Sequence, residues 1–269
     1  MRLLVSPSSF EIMPFQTGQN PYIHHQHIHS SKAHAQHSRL AHSLSALVYP
    51  LPQLPCPDIV FMANAGLSLP RLQRVLLPRM KFPQRQQELP YLKQMFKHLR
   101  IPTMDYPGTE PFEGQAELKW VDGGRKAVCG YGYRSTKQTF VELDRLFGQL
   151  YKDKPQLLVL KLASADFYHL DVAMLEYDDK CIVHRRAFSP TSIRKLEHFL
   201  GKQNVTVLDT TDTFCLNAIV DGKRLITHKL KDPHLKSWLQ DLTGRTVHEI
   251  DTSEFEKSGG SVRCMVLDV

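Results

Sequence analysis

The chain has 269 residues, 42% of them hydrophobic, which is enough to bury a large core. Its net charge of +7 comes from Lys and Arg spread along the chain, with no basic run interleaved with aromatics, so the sequence is not read as a nucleic-acid binder. The five cysteines (Cys56, Cys129, Cys181, Cys215, Cys264) are widely spaced without CxxC, which argues against a zinc ribbon or disulfide framework and for free thiols in a reducing compartment.

No apolar run reaches the length of about 18 residues that a membrane span needs, and MRLLVSP is too short for a secretory core. Residues 1–57 hold a single acidic residue, Glu11, and many serines, a transit-peptide composition. The strand-like start looks needed for the fold, so a cytoplasmic chain is expected.

In chain order, Leu3 to Val5 read as a short buried strand and Gly18-Gln19-Asn20-Pro21 as a loop. Seven of the fourteen histidines fall between His24 and His42. A metal-binding tract is one reading of that cluster. No acidic or cysteine partners accompany it, so an amphipathic helix over 31–47 is preferred, with Leu40, Leu44 and Leu47 inward and histidines on the wet face. No metal or cofactor is expected. There is no phosphate-cradling glycine loop and no dinucleotide fingerprint.

From there a unit recurs. Residues 59–62 read as a strand, 64–69 as a turn, 74–77 as a second strand and 90–99 as a helix. Residues 112–120, the turn Asp122-Gly123-Gly124, a strand over 126–133 and a helix over 136–150 follow. Next come a β-run at 157–162, another at 167–177 with its turn at Asp178-Asp179, a return at 181–183 and a helix at 192–201. Residues 205–208, 214–220 with the turn Asp221-Gly222, 225–226 and a helix at 233–243 repeat the theme, before 246–250 and a last strand at 262–269. The Asp-Gly turns between apolar runs are good hairpin signals.

A polar residue interrupts each first hairpin strand: Asn64, Glu113 or Glu117, His169, Asn217 and Cys264, at steps of 49, 56, 48 and 47 residues. Five such units suggest a pseudo-symmetric ring in which these side chains converge on one axis. The strand at Arg2 to Val5 is expected to complete the fifth unit and close it. The expected fold is therefore α/β, a five-bladed propeller forming a single domain over 1–269, with the His-rich helix (roughly 24–48) in the first blade.

Two stretches carry chemistry. In SEFEKSGGSVRCMVLDV, from Ser253, a Gly259-Gly260 turn leads to Cys264, placed at the edge of a β-run where a nucleophile can be mounted. In FYHLDVAM, from Phe167, strand alternation would put His169 and Asp171 on one face. His169 suits a general acid and base, Glu113 an orienting carboxylate, and Asp171 a two-oxygen contact to a planar guanidinium.

With PDIVFMANAGL (from Pro57), FEGQAELKW (from Phe112) and GYGYRST (from Gly130), these stretches resemble the amidinotransferase superfamily of guanidino-group-modifying enzymes, which includes dimethylargininase, arginine deiminase and arginine–glycine amidinotransferase. The resemblance covers nearly the whole chain and is weakest between Asn20 and Tyr49. It implies the pentein propeller, attack of Cys264 on a guanidino carbon, a thiouronium intermediate, and its release by water that His169 activates. The implied partner is a small guanidino compound, arginine or a methylated arginine; nothing in the pattern fixes an oligomeric state. The alternatives are amidino transfer to an amine and an inactive propeller used as a scaffold.

The resemblance also implies guanidinium binding by Asp171, in a His-Leu-Asp motif like that of the deiminases, and carboxylate binding by Arg134. Two departures stand out. Glu113-Gly114-Gln115-Ala116-Glu117 is one residue longer than the Glu-Gly-Gly-Asp of many members, leaving Glu113 (preferred) or Glu117 as the partner of His169. Asn64 stands where deiminases have a second aspartate. A neutral amide can donate to a ureido oxygen, which suits an arginine dihydrolase course, with help from Asn20.

Overall fold

The computed structural model describes residues 1–24 and 26–269; His25, one of the seven clustered histidines, lies outside the described residues. Each of five blades is a three-stranded sheet built the same way: two antiparallel strands (a hairpin in blades 2 to 5), a crossover helix, and a third strand parallel to the middle one.

In blade 1 the middle strand is β1 (Arg2–Val5), parallel to β2 (Leu47–Tyr49) after the helix Ser30–Ser43. Blade 2 comprises β3 (Leu67–Leu69), β4 (Arg74–Leu76) and β5 (Thr103–Met104), with the helix Leu89–His98. Blade 3 comprises β6 (Leu118–Val121), β7 (Lys126–Tyr131) and β8 (Gln156–Lys161), with Lys137–Leu150. Blade 4 comprises β9 (Met174–Tyr177), β10 (Lys180–His184) and β11 (Val205–Leu208), with Pro190–Leu200. Blade 5 comprises β12 (Ile219–Asp221), β13 (Arg224–His228) and β14 (Thr246–Ile250), with Pro233–Thr243. The final strand β15 (Leu267–Asp268) returns to blade 1 and pairs antiparallel with β1, Leu3 opposite Leu267. The first and last residues of the fold thus share a sheet, as the sequence implied for Arg2 to Val5.

The helices form where caps and apolar spacing coincide. Thr136 caps the blade-3 helix by accepting from the Thr139 N–H, and Phe140, Leu143 and Phe147 recur every three or four residues on its buried face. Ser189 and Asp232 cap the helices of blades 4 and 5, each followed by a proline whose fixed φ suits the first helical position. The His-rich helix does lie in blade 1, with Leu40 and Leu44 buried and His34 and His42 exposed, but it ends at Ser43. Leu47 begins β2 and is 40% exposed rather than inward, and His37 is buried rather than wet.

The larger differences lie at the axis. Residues 59–62 are not a strand; 3₁₀ turns occupy Pro57–Val60 and Met62–Asn64. The run 167–177 is a strand only from Met174: His169 precedes a single helical turn, Leu170–Ala173, so strand alternation does not orient His169 and Asp171. Phe214 to Asn217 and Val262 to Met265 are turns too, and Cys264 stands in a turn before β15 rather than in a strand. A short apolar run has the same signature whether it is a buried strand or a buried helical turn. At the hub, where five hairpins start, tight turns put five side chains within reach of one another.

Candidate active site

Those turns assemble the site. Glu113, flanking the 3₁₀ turn Gly114–Ala116, has its Oε2 2.8 Å from His169 Nε2 and 3.0 Å from Arg134 Nη1. Its Oε1 accepts from the Lys81 N–H at 3.1 Å. Burial works to raise the Glu113 carboxyl, but the Arg134 guanidinium and then the His169 ring hold it well below the usual carboxylate range. An ionised Glu113 takes the N–H of His169 at Nε2, which leaves the unprotonated Nδ1 of the neutral ring as its base. Burial lowers the pKa of that ring, against the pull of Glu113.

Glu117 does not contact His169. It accepts from the Glu113 N–H at 2.8 Å, and burial together with the Glu113 charge pushes it up to about 8. The two carboxyls differ because one has cations around it and the other has a carboxylate.

Cys264 is cradled by Asn217, whose Nδ2 lies 3.2 Å from Sγ and whose Oδ1 accepts from the N–H groups of Arg263 and Cys264. The same Nδ2 donates to the Asp171 carbonyl at 3.0 Å. The Asp171 side chain is fully buried, and neither carboxylate oxygen finds a donor among the described residues. Burial, then this carboxylate, drives the Cys264 thiol well above its ordinary pKa. A buried carboxylate without a donor is costly, so a cation with N–H groups is the missing partner.

A small pocket, about 20 Å³ in cavity volume, opens above Cys264 and His169, walled by Asn64, Arg85, Arg134 and Tyr168. The structure therefore brings Cys264, His169, Glu113, Asp171, Asn64 and Arg134 together. Arg134 is sandwiched between the rings of Phe82 (5.0 Å) and Tyr168 (4.7 Å), with Nη1 spent on Glu113. Asn20 lines the pocket, but its Oδ1 accepts from the Tyr22 and Ile23 N–H groups and its Nδ2 donates to the Ser258 carbonyl, so its amide is largely committed to tying its own loop to the segment before Cys264.

Several pocket residues escaped the sequence reading. Arg85 forms a buried two-point ion pair with Glu88 (2.8 and 3.0 Å) and donates from Nη1 to Asn64 Oδ1 at 2.9 Å. That bond fixes the amide with Nδ2 as the donor end; one of its N–H groups donates to the Glu113 carbonyl at 3.4 Å, and the amide has a second to offer. Asp58 accepts from Gln16 and Ser258. Its place as a lone acid in the apolar run Pro57 to Met62 was a usable signal, whereas Arg85, in PQRQQ, gave none. Among the described residues, no group of three or more His, Cys, Asp or Glu is arranged to hold a metal ion.

The glycine pair before Cys264 is explained by close approach. Gly259 has φ +87°, and a Cβ on Gly260 would sit 2.1 Å from the Phe61 ring. Gly260→Ala is expected to cost about 1–3 kcal/mol through overpacking, read as a lower urea midpoint. An unchanged midpoint would mean that Phe61 moves freely.

Five hairpin-and-helix blades around a buried Cys, His and Glu, with a cation-seeking Asp beside the thiol, define the pentein class of guanidino-modifying folds. The chain matches no protein-family model. It is 31% identical over 223 residues to a bifunctional arginine dihydrolase/ornithine cyclodeaminase, AgrE, of Nostoc sp. (strain PCC 7120), covering 81% of this chain and 30% of that protein. It is 28% identical over 243 residues to the N(G),N(G)-dimethylarginine dimethylaminohydrolase of Mycobacterium tuberculosis, covering 88% of this chain and 73% of the relative. The solved N-terminal domain of ArgZ, described as an arginine dihydrolase from the ornithine–ammonia cycle in cyanobacteria, superposes with a TM-score of 0.86 at 25% identity, covering 99% of this chain and 96% of that domain. The chain belongs to the amidinotransferase-type superfamily of guanidino-modifying proteins. It spans about 30% of the length of the bifunctional relatives.

Proposed function

We propose that this chain is a cysteine-dependent hydrolase of a guanidino compound, with arginine as its substrate and a dihydrolase course, and that residues 1–269 act as one propeller domain. The observation that carries the reading is the buried Asp171 carboxylate, unpartnered and set against the Cys264 thiol. A guanidinium fits there: it supplies parallel N–H donors to both oxygens and places its central carbon by the sulfur. Its positive charge offsets Asp171 and favours the thiolate, so the nucleophile forms when substrate is bound.

Cys264 gives its thiol proton to His169 Nδ1 and Sγ bonds to the guanidino carbon; one C–N bond breaks, and the nitrogen leaves as ammonia carrying that proton from His169. Water, deprotonated by His169, attacks the thiouronium carbon; the C–S bond breaks, returning the thiolate and a ureido product. In a second round Sγ attacks the ureido carbon and a second ammonia leaves. Water then frees the thiocarbamate as a carbamate, which loses carbon dioxide to leave the amine. Overall one arginine and two waters give ornithine, carbon dioxide and two ammonia. Support for the second round comes from Asn64: with Oδ1 held by Arg85, its donor end suits a ureido oxygen. Arg85 and Arg134 line the same pocket and suit the substrate carboxylate. Two relatives are described as arginine dihydrolases joined to an ornithine cyclodeaminase, and another as a dimethylarginine hydrolase. Free cysteines suit a cytoplasmic setting.

The test is product analysis with arginine and dimethylarginine. Ornithine with two ammonia per arginine is expected, and Asn64→Asp is expected to stop at citrulline with ornithine release down about a hundredfold. No product from any guanidine by folded protein would end the reading. Citrulline alone from the wild type would end its dihydrolase part.

A further inference from the structure

A second cluster of buried ionisable groups lies outside the pocket. His228, the last residue of β13, has its Nε2 3.0 Å from Asp212 Oδ1 and its Nδ1 3.0 Å from Glu256 Oε1, with the ring 1% exposed. The Nδ1 contact is a hydrogen bond, whereas the Asp212 contact is an ion pair in which Nε2 and Oδ1 are not aligned as donor and acceptor; a neutral imidazole offers the two carboxylates one N–H and no charge, while the imidazolium pairs with both. Asp212 is held in place by the Lys231 N–H at 2.9 Å.

Glu256 leads from this cluster to the nucleophile. It ends the short helix Ser253–Glu256, and its Oε1 also accepts from Thr252 Oγ1 at 2.7 Å. Thr252 has a single hydroxyl proton, spent on Glu256, so in its 2.8 Å contact with Ser261 the serine hydroxyl donates. The Ser261 carbonyl accepts from the Met265 N–H, closing the turn that carries Cys264, and the Glu256 carbonyl accepts from the Gly259 N–H. Ser258 and Gly260, between these anchor points, are walls of the pocket.

We infer that His228, charged and clamped between Asp212 and Glu256, is a positioning residue that ties β13 to segment 252–265 and thereby holds Cys264 and the Ser258–Gly260 wall in their working arrangement. The inference rests on the reading of Cys264 as nucleophile. Burial alone would lower the ring's pKa, but Asp212 and Glu256 outweigh it and raise it to about 9. The charged groups facing the ring are Asp212 from the loop after β11, Glu256 from the short helix and Glu249 from β14, with Lys231 as the cation beside Asp212. The clamp therefore holds below about pH 8 and releases as the pH rises through the folded value.

The test uses the full chain: amide exchange of peptides over 252–265, corrected for intrinsic rate, beside kcat/KM for arginine from about pH 6 to 10. In the wild type this segment should exchange about tenfold faster above the transition, with kcat/KM falling in step. Glu256→Gln should move both transitions down by about one pH unit, because one of the two carboxylates that raise the ring is gone. His228→Gln should exchange quickly at every pH and show no transition. A role confined to bulk stability would lower the melting temperature without moving the pH at which the segment opens. If His228→Gln does not fold, Glu256→Gln carries the test. Protection of 252–265 that persists to about pH 10, or identical profiles for wild type and Glu256→Gln, overturns the inference. Opening on schedule in a protein that turns over no guanidine would sink the proposed substrate and leave the clamp standing.

Discussion

Cys264→Ser is expected to lower kcat for a guanidino substrate by at least about ten-thousandfold while leaving the fold intact. The fold survives because the change is one buried atom: Asn217 can donate to a hydroxyl as it does to the thiol, and its bonds to the Arg263 and Cys264 N–H groups do not involve the side chain. Activity is lost because a serine hydroxyl ionises far less readily than a thiol, and an alkoxide beside Asp171 is harder still to form. The raised Cys264 pKa adds a second consequence. Without substrate the thiol is protonated at neutral pH, so a neutral alkylating reagent should react slowly. A cationic amidine such as 2-chloroacetamidine brings its own charge to Asp171 and should react much faster. Intact-protein mass spectrometry gives the answer: one adduct on wild type, none on Cys264→Ser. Turnover by the serine variant within tenfold of wild type would remove Cys264 from the chemistry.

The sequence shows its architecture more readily than its hub. Five hairpin-and-helix units are legible because Asp122-Gly123, Asp178-Asp179 and Asp221-Gly222 punctuate apolar runs and capped amphipathic helices follow at regular intervals. Closure by Arg2–Val5 is legible because a fifth unit ending at Val269 lacks a strand. At the axis, Ile59 to Met62, Phe167 to Ala173 and Val262 to Met265 read as strands and fold as turns. They are buried on all sides, so the period that separates helix from strand is missing. Even so, the polar residues in or beside the five first hairpin runs fall at the hub: Asn64, Glu113, His169, Asn217 and Cys264 are all buried there. What stayed hidden was pairing. That Arg134 is bound to Glu113 within blade 3, and that Arg85 reaches Asn64 within blade 2 from a short helix 21 residues away, depends on how the connections at the hub fold back on each other. No local pattern records that.

Pairing also separates the two carboxyls that the sequence left as alternatives. Glu113→Gln is expected to cost about 3–5 kcal/mol, because it leaves the buried Arg134 guanidinium without its counter-charge. It should also lower kcat about a hundred- to ten-thousandfold by freeing the His169 ring from its oriented tautomer. Glu117→Gln should do neither. Glu117, pushed up to about 8, is chiefly a neutral acid at pH 7, and a glutamine of the same shape keeps an oxygen for the Glu113 N–H. The two also differ in sign with pH. The Glu113 carboxyl is held below its unfolded value of about 4.3, so its contribution is present above that pH and is lost as the pH falls through the folded value. The Glu117 carboxyl is raised, so its neutral form contributes below about 4.3 and that contribution shrinks as the pH rises toward about 8. Urea unfolding from acid to mildly alkaline pH should therefore show Glu113→Gln losing the acid-side dependence and Glu117→Gln losing the neutral-side one. Equal damage from both substitutions, in kcat and in stability, would mean that the proton between them is shared, and the assignment of Glu113 as the sole partner of His169 would fall.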